Sequence, residues 1–224
     1  MKNCIMLHGL GPTPPHILPC EVRYWLPEEK FAKIVNLAQR YPMQITFDDA
    51  NDTDVRIALP ALKKAGLSAD FFVPTGQIGR PGYLSEGDIR SMRAVGMRFG
   101  SHGSAHIEWT KVSNDEIAKD VSGSIEILSA ILGEQITDVA VPFGECDLRV
   151  MRVLRSLGVK RVYTSFRGRT SDDAWIVRRT CITANMPNAA IEELFARKYT
   201  AADDALAFLR AWRHIGPATL WAAS

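Results

Sequence analysis

What most constrains this chain is a rhythm: short apolar runs alternate with longer amphipathic segments along most of its length. Runs of strand length fall at residues 4–8, 43–47, 69–73, 97–100, 139–141 and 161–164, with a weaker one at 175–177. Segments with helical spacing separate most of them, at 27–40, 53–64, 85–95, 113–132 and 147–157, and two more follow at 188–197 and 201–212. The punctuation agrees. Pro27 opens a helix whose first turn carries Glu28 and Glu29, Asp52 or Thr53 can cap the next, and Gly66 stops it. A β-α-β-α order points to parallel strands with helices outside the sheet, because a parallel neighbour is reached only by a crossover. About seven strands suit a barrel. The expected fold class is therefore α/β, a distorted (β/α) barrel of about seven parallel strands. Such folds carry chemistry on loops beyond the carboxyl ends of the strands. The looser stretches are 76–82, 166–174 and 183–188.

The bulk properties narrow the function classes. With 224 residues, 46% of them hydrophobic, one domain over 1–224 is the expectation. Net charge is +2, from 27 basic and 25 acidic residues, with no clustered basic patch of the kind nucleic acid requires. Cys4, Cys20, Cys146 and Cys181 form no C-x-x-C pair and read mostly as free thiols of a reducing compartment. The apolar stretch at the start is broken by Gly9, Gly11, Pro12, Pro14 and Pro15. It is too short for a secretory signal or a membrane span, so a cytoplasmic location is expected.

Three features follow strands. The first is Thr46-Phe47-Asp48-Asp49. Neighbouring strand residues point to opposite faces, so adjacent acids suit a strand end where the chain turns. They also fit a simple turn or helix cap. The second is Ser101-His102-Gly103-Ser104-Ala105-His106. Histidines four apart on one helical turn can aim both imidazoles at one metal ion, and Asp49 is the obvious carboxylate to complete a two-His, one-carboxylate site. Two unrelated polar residues on a loop is the plainer reading. The chain has five histidines, and two lie here at ligand spacing. The third is Val141-Pro142-Phe143-Gly144, a turn that can present a backbone N–H to a reacting carbonyl. Pro-x-Gly turns are common, so alone it says little.

Together, T-F-D-D, S-H-x-x-x-H and P-F-G resemble the motifs of the polysaccharide deacetylases with a NodB-like domain, carbohydrate esterase family 4. The resemblance covers residues 44–180 and implies a distorted barrel of about seven strands. It implies that Asp48 is the base that takes a proton from the attacking water, that Asp49, His102 and His106 are metal ligands, and that the Phe143 N–H holds the oxyanion. A divalent metal is implied, with zinc the default for two imidazoles and a carboxylate, and cobalt, nickel or iron fitting the same ligands.

Two departures stand out. Many family members have an arginine two residues before the motif proline, and here that position is Ala140. Arg178 and Arg179 can supply a guanidinium in its place, although as strand-edge charges they read more simply as solvated. The family's late leucine-x-histidine motif, source of the general acid, is also missing. The first strand instead ends in His8. In a closed barrel the first strand lies beside the last, so His8 can occupy that place. Both departures are similar to the circularly permuted poly-N-acetylglucosamine deacetylase branch.

Six aromatic and acidic positions stay open. Trp175 is either a wall of a sugar pocket or core. Tyr24-Trp25 either lines the groove or, the simpler expectation, staples the following helix. Glu108 follows the metal motif closely enough to support it, and Asp88 and Trp109 are unassigned. The function implied is removal of an acetyl group from an N-acetylated saccharide or a glycolipid precursor. O-deacetylation or hydrolysis of a small cyclic amide would use the same site. A sugar-binding barrel without turnover is the non-enzymatic alternative. Oligomeric state is open, and residues after about Asn188 have no assigned role.

Overall fold

The computed structural model describes residues 3–15 and 17–221. Among them, eight short parallel strands form one sheet. They are β1 (Cys4–Leu7), β2 (Gln44–Asp48), β3 (Asp70–Val73), β4 (Arg98–Ser101), β5 (Asp138–Ala140), β6 (Arg161–Thr164), β7 (Ile176–Arg178) and β8 (Thr180–Cys181). The order across the sheet is β7-β6-β5-β4-β3-β2-β1-β8. β7 and β8 are one run of chain interrupted at Arg179. One half pairs with β6 and the other with β1, so this split strand closes the barrel. The expected run at 175–177 was therefore real but too short. Its second half, around a buried arginine, lacks the apolar run that marks a strand.

Helices cover the outside: α1 (Glu28–Arg40), α2 (Leu59–Ala65), α3 (Glu86–Ala94), α4 (Asn114–Leu132), α5 (Leu148–Ser156), α6 (Asn188–Ala196) and α7 (Ala201–Ile215). Ser85 and Ser113 each cap a helix through a reciprocal bond with an acid three residues on, Asp88 and Glu116. Asp88 thus has a capping role. The expected helix at 53–64 begins instead with wide π turns over Asp54–Ala58 before α2. Thr53 stands at its start without capping it; its hydroxyl accepts from the Leu10 N–H at 3.2 Å.

Strand alternation sorts the side chains. Ile5, Leu7, Ile45, Phe47, Phe71 and Phe99 face outward into the core under the helices. Cys4, Phe72, Ala140, Tyr163 and Val177 pack together inside the barrel. Gly100 belongs to this inner set, where a Cβ would lie 2.5 Å from the Phe72 ring. Because the period is two, the inward parity of β2 and β4 carries on to Asp48 and His102 at the carboxyl ends. Trp175 is core: it is fully buried and its indole N–H donates to the Val159 carbonyl at 2.7 Å.

Candidate active site

Asp48 is the last residue of β2 and is buried. Its carboxylate accepts two bonds from Arg179, Nη1 to Oδ1 at 2.6 Å and Nη2 to Oδ2 at 2.8 Å. Arg179 also donates to the Thr46 hydroxyl at 3.2 Å and the Thr164 carbonyl at 3.3 Å, and its guanidinium lies against the Phe72 ring. Arg179 is fully buried, so the solvated reading fails for it. The guanidinium that Ala140 cannot provide comes from the strand break that closes the barrel. Burial alone would favour protonated Asp48; the charge of Arg179 and its hydrogen bonds outweigh it and hold the carboxyl below its ordinary range.

The chain turns sharply after Asp48. Asp49 and Ala50 both have positive φ, 78° and 55°. The turn aims Asp49 at two imidazoles: its Oδ1 lies 3.6 Å from His102 Nε2 and 3.3 Å from His106 Nε2. One ligand atom from each of the three residues falls within 4.8 Å of the others. The histidines are not on a helical turn, as their spacing had suggested. Residues 102–108 form a loop, with φ of 73° at Gly103 and 51° at His106.

Asp120 of α4 shapes that loop. Its carboxylate accepts from the Ser104 N–H at 3.0 Å, the Ala105 N–H at 2.8 Å and the Trp109 indole N–H at 2.9 Å. A Cβ at Gly103 would meet Asp120 Oδ2 at 2.3 Å. Nothing in the sequence near the motif pointed to Asp120, sixteen residues beyond Ser104. Glu108 bonds instead to Thr110 and Lys111.

The donor set fits a divalent metal. His102 Nδ1 lies 2.9 Å from the Ala140 carbonyl. A carbonyl only accepts, so Nδ1 carries the proton and Nε2 offers its lone pair. Burial pushes His102 down to about 4, which keeps it neutral near pH 7. Burial opposes charge on His106 as well, but its bond to Asp49 outweighs that and raises it. Positive charge is therefore favoured between His106 and Asp49. Asp54, fully buried with neither carboxyl oxygen bonded among the described residues, is pushed the other way, first by burial and then by the charges of Asp49 and Asp48.

His8 follows β1, and β1 pairs with β8, so the first strand does lie beside the last. The His8 ring rests on Tyr24 at 4.8 Å, and its buried Nδ1 has no hydrogen-bond partner among the described residues. Phe143 adopts φ of 58°, which turns its exposed ring onto His106 at 4.6 Å. All six expected site residues line one cleft of about 570 Å³, joined by Arg23, Tyr24, Trp25, Tyr83 and Cys181. Tyr24 and Trp25 are thus part of the cleft wall. The wall is close: a Cβ at Gly9 would sit 2.3 Å from the Trp25 ring. All four cysteines are free.

The polysaccharide deacetylase family model matches residues 38–162, more than half of the sequence. The chain belongs to the polysaccharide deacetylase family. It is 24% identical over 148 residues to YxkH of Bacillus subtilis (strain 168), whose name places it among the polysaccharide deacetylases; the match covers 65% of this chain and 53% of that protein. The chain thus spans about half the length of this relative. Its fold resembles the Streptococcus pyogenes deacetylase PplD, solved in complex with acetate, with a TM-score of 0.76, 19% identity and coverage of 87% of this chain and 97% of that one. IcaB from Ammonifex degensii gives a TM-score of 0.70 at 22% identity over 88% and 97%. The NodB-like barrel is common to this chain and its structural neighbours. Among the described residues no helix is long and apolar enough to cross a membrane.

Proposed function

We propose that this deacetylase-family chain is a metal-dependent hydrolase that removes the acetyl group from an N-acetylated sugar in a glycan or glycolipid precursor. We take residues 1–224 as one catalytic unit. The observation that carries the reading is the convergence of Asp49, His102 and His106 beside an aspartate braced by a buried arginine. Asp49, His102 and His106 would hold the metal, zinc by preference. Bound there, it supplies Lewis acidity that acidifies water and polarises an acetyl carbonyl.

The chain's own groups do the rest. Asp48, kept ionised by Arg179, takes the proton from the attacking water. Oxygen adds to the acetyl carbon, and the Phe143 backbone N–H faces the resulting oxyanion. His8, on the first strand, delivers a proton to the leaving nitrogen as the C–N bond breaks. The products are acetate and a free amine. Tyr24 and Trp25 offer flat apolar faces to the sugar ring.

Asp48→Asn separates the base from the metal ligands. The variant should keep its metal while acetate release from N-acetylglucosamine oligomers falls about 10²–10⁴-fold. Full turnover in that variant would remove Asp48 from the mechanism. His8→Ala should slow turnover on the same substrate; unchanged turnover would remove His8 as the acid.

A further inference from the structure

Helix α7 is amphipathic the wrong way round. Its buried face is mostly small, Ala207 and Ala211 with Ile215. Its large apolar residues point outward: Leu206 is 47% exposed, Leu209 57% and Trp212 42%. Spaced three apart, they form one stripe.

The charges beside the stripe are lopsided. The helix's own acids are neutralised, Asp203 by Arg197 at 2.6 Å and Asp204 by Arg169 at 2.5 Å. Arg210 and Arg213 on the helix, Arg167 on the loop after β6 and Lys198 before the helix are exposed and make no ion pair among the described residues. A cleft of about 350 Å³ opens beside the stripe, with Arg167, Arg197 and Arg210 lining it together with Leu194 and Leu206. Glu193 is its one acid outside an ion pair among the described residues.

We propose that this face of α7 seats the protein on an anionic lipid surface, the stripe entering the interface and the arginines engaging headgroup phosphates. Leucine and tryptophan flanked by arginine is the chemistry of a helix that lies in a bilayer interface. Three large apolar residues suit shallow, reversible binding. A second copy of the chain fits less well, because a two-fold contact centred here brings Arg210 and Arg213 against their own counterparts, with Glu193 the one acid outside an ion pair in the adjoining cleft among the described residues.

The seat adjoins the catalytic cleft. Thr180 lines the basic cleft and its neighbour Cys181 lines the catalytic one, with Arg167 close enough to act on the Cys181 thiol. On the deacetylase reading, a sugar anchored in the same surface would meet the catalytic cleft. The seat itself does not depend on that reaction.

The test is co-sedimentation of the full chain with vesicles of phosphatidylcholine containing phosphatidylglycerol, against pure phosphatidylcholine. Binding should require phosphatidylglycerol and weaken about tenfold or more in Leu209→Ser/Trp212→Ser, in Arg210→Gln/Arg213→Gln and at high salt. Acetate release from soluble oligomers should stay unchanged in both variants, and circular dichroism checks their folding. Absence of binding, or equal binding by folded variants, overturns the proposal. Self-association that Leu209→Ser/Trp212→Ser abolishes, without lipid binding, assigns the face to a second copy and overturns it too.

Discussion

Arg179 shows how much one side chain decides. It is buried in the barrel, and its only charged partner among the described residues is Asp48. Arg179→Met should leave that carboxylate without its counter-charge, costing about 3–5 kcal/mol of stability in urea denaturation. Asp48 is held low in the folded state. The stabilisation from the pair is therefore present above the unfolded carboxyl pKa of about 3.9 and lost as pH falls through the folded value. Without the arginine, the carboxyl rises. The acid limb of kcat/KM should move to higher pH and kcat should drop about 10–100-fold. An unmoved acid limb would show that the guanidinium does not tune Asp48. Ala50 is a smaller case. At φ 55° it sits where glycine is favoured, so Ala50→Gly should stabilise the fold by about 0.5–1 kcal/mol, read as a higher urea midpoint at unchanged m-value. The sequence exposed Asp48, Asp49, His102 and His106 because acids and histidines stand out in type and spacing. It hid Arg179, since a strand-edge arginine looks the same whether it faces solvent or a barrel interior.

At the scale of elements, strands and helices were legible because their periods differ. β6 lies where its apolar run placed it, and α1, α4 and α6 differ by a residue at most at either end. Loops carry no period, and there the reading failed. The i, i+4 spacing of the metal motif fits a helical turn, yet Gly103 and His106 need positive φ that a right-handed helix forbids. What shapes the loop is Asp120, which arrives from α4 and accepts two backbone N–H groups and an indole. Asp120→Asn keeps the volume but turns an amide against donors. Metal affinity should fall about 10–100-fold in a titration, with changed Trp109 fluorescence and an intact fold. Unchanged affinity would mean that the loop holds its form without this carboxylate.

At the scale of the molecule, barrel closure gathers the site. β8 pairs with β1, which brings His8 and Asp48 to one cleft and sets Arg179 behind Asp48, from three distant stretches of sequence. The barrel class was readable from the β-α order, but the split of its last strand was not. Since Asp49 and the two histidines come from separate strand ends, a bound ion ties β2 to β4 through their loops. Metal at about 100 times its Kd should therefore raise stability by about 2.7 kcal/mol in the wild type, seen as a higher Tm, and not in His102→Ala. The most direct test of the account is metal content and acetate release measured together on wild type and His102→Ala. The account predicts about one divalent metal per chain and acetate release from N-acetylglucosamine oligomers in the wild type, with both lost in the variant. A wild type that takes up no zinc, cobalt or nickel on reloading, or a His102→Ala protein that still releases acetate, would contradict it.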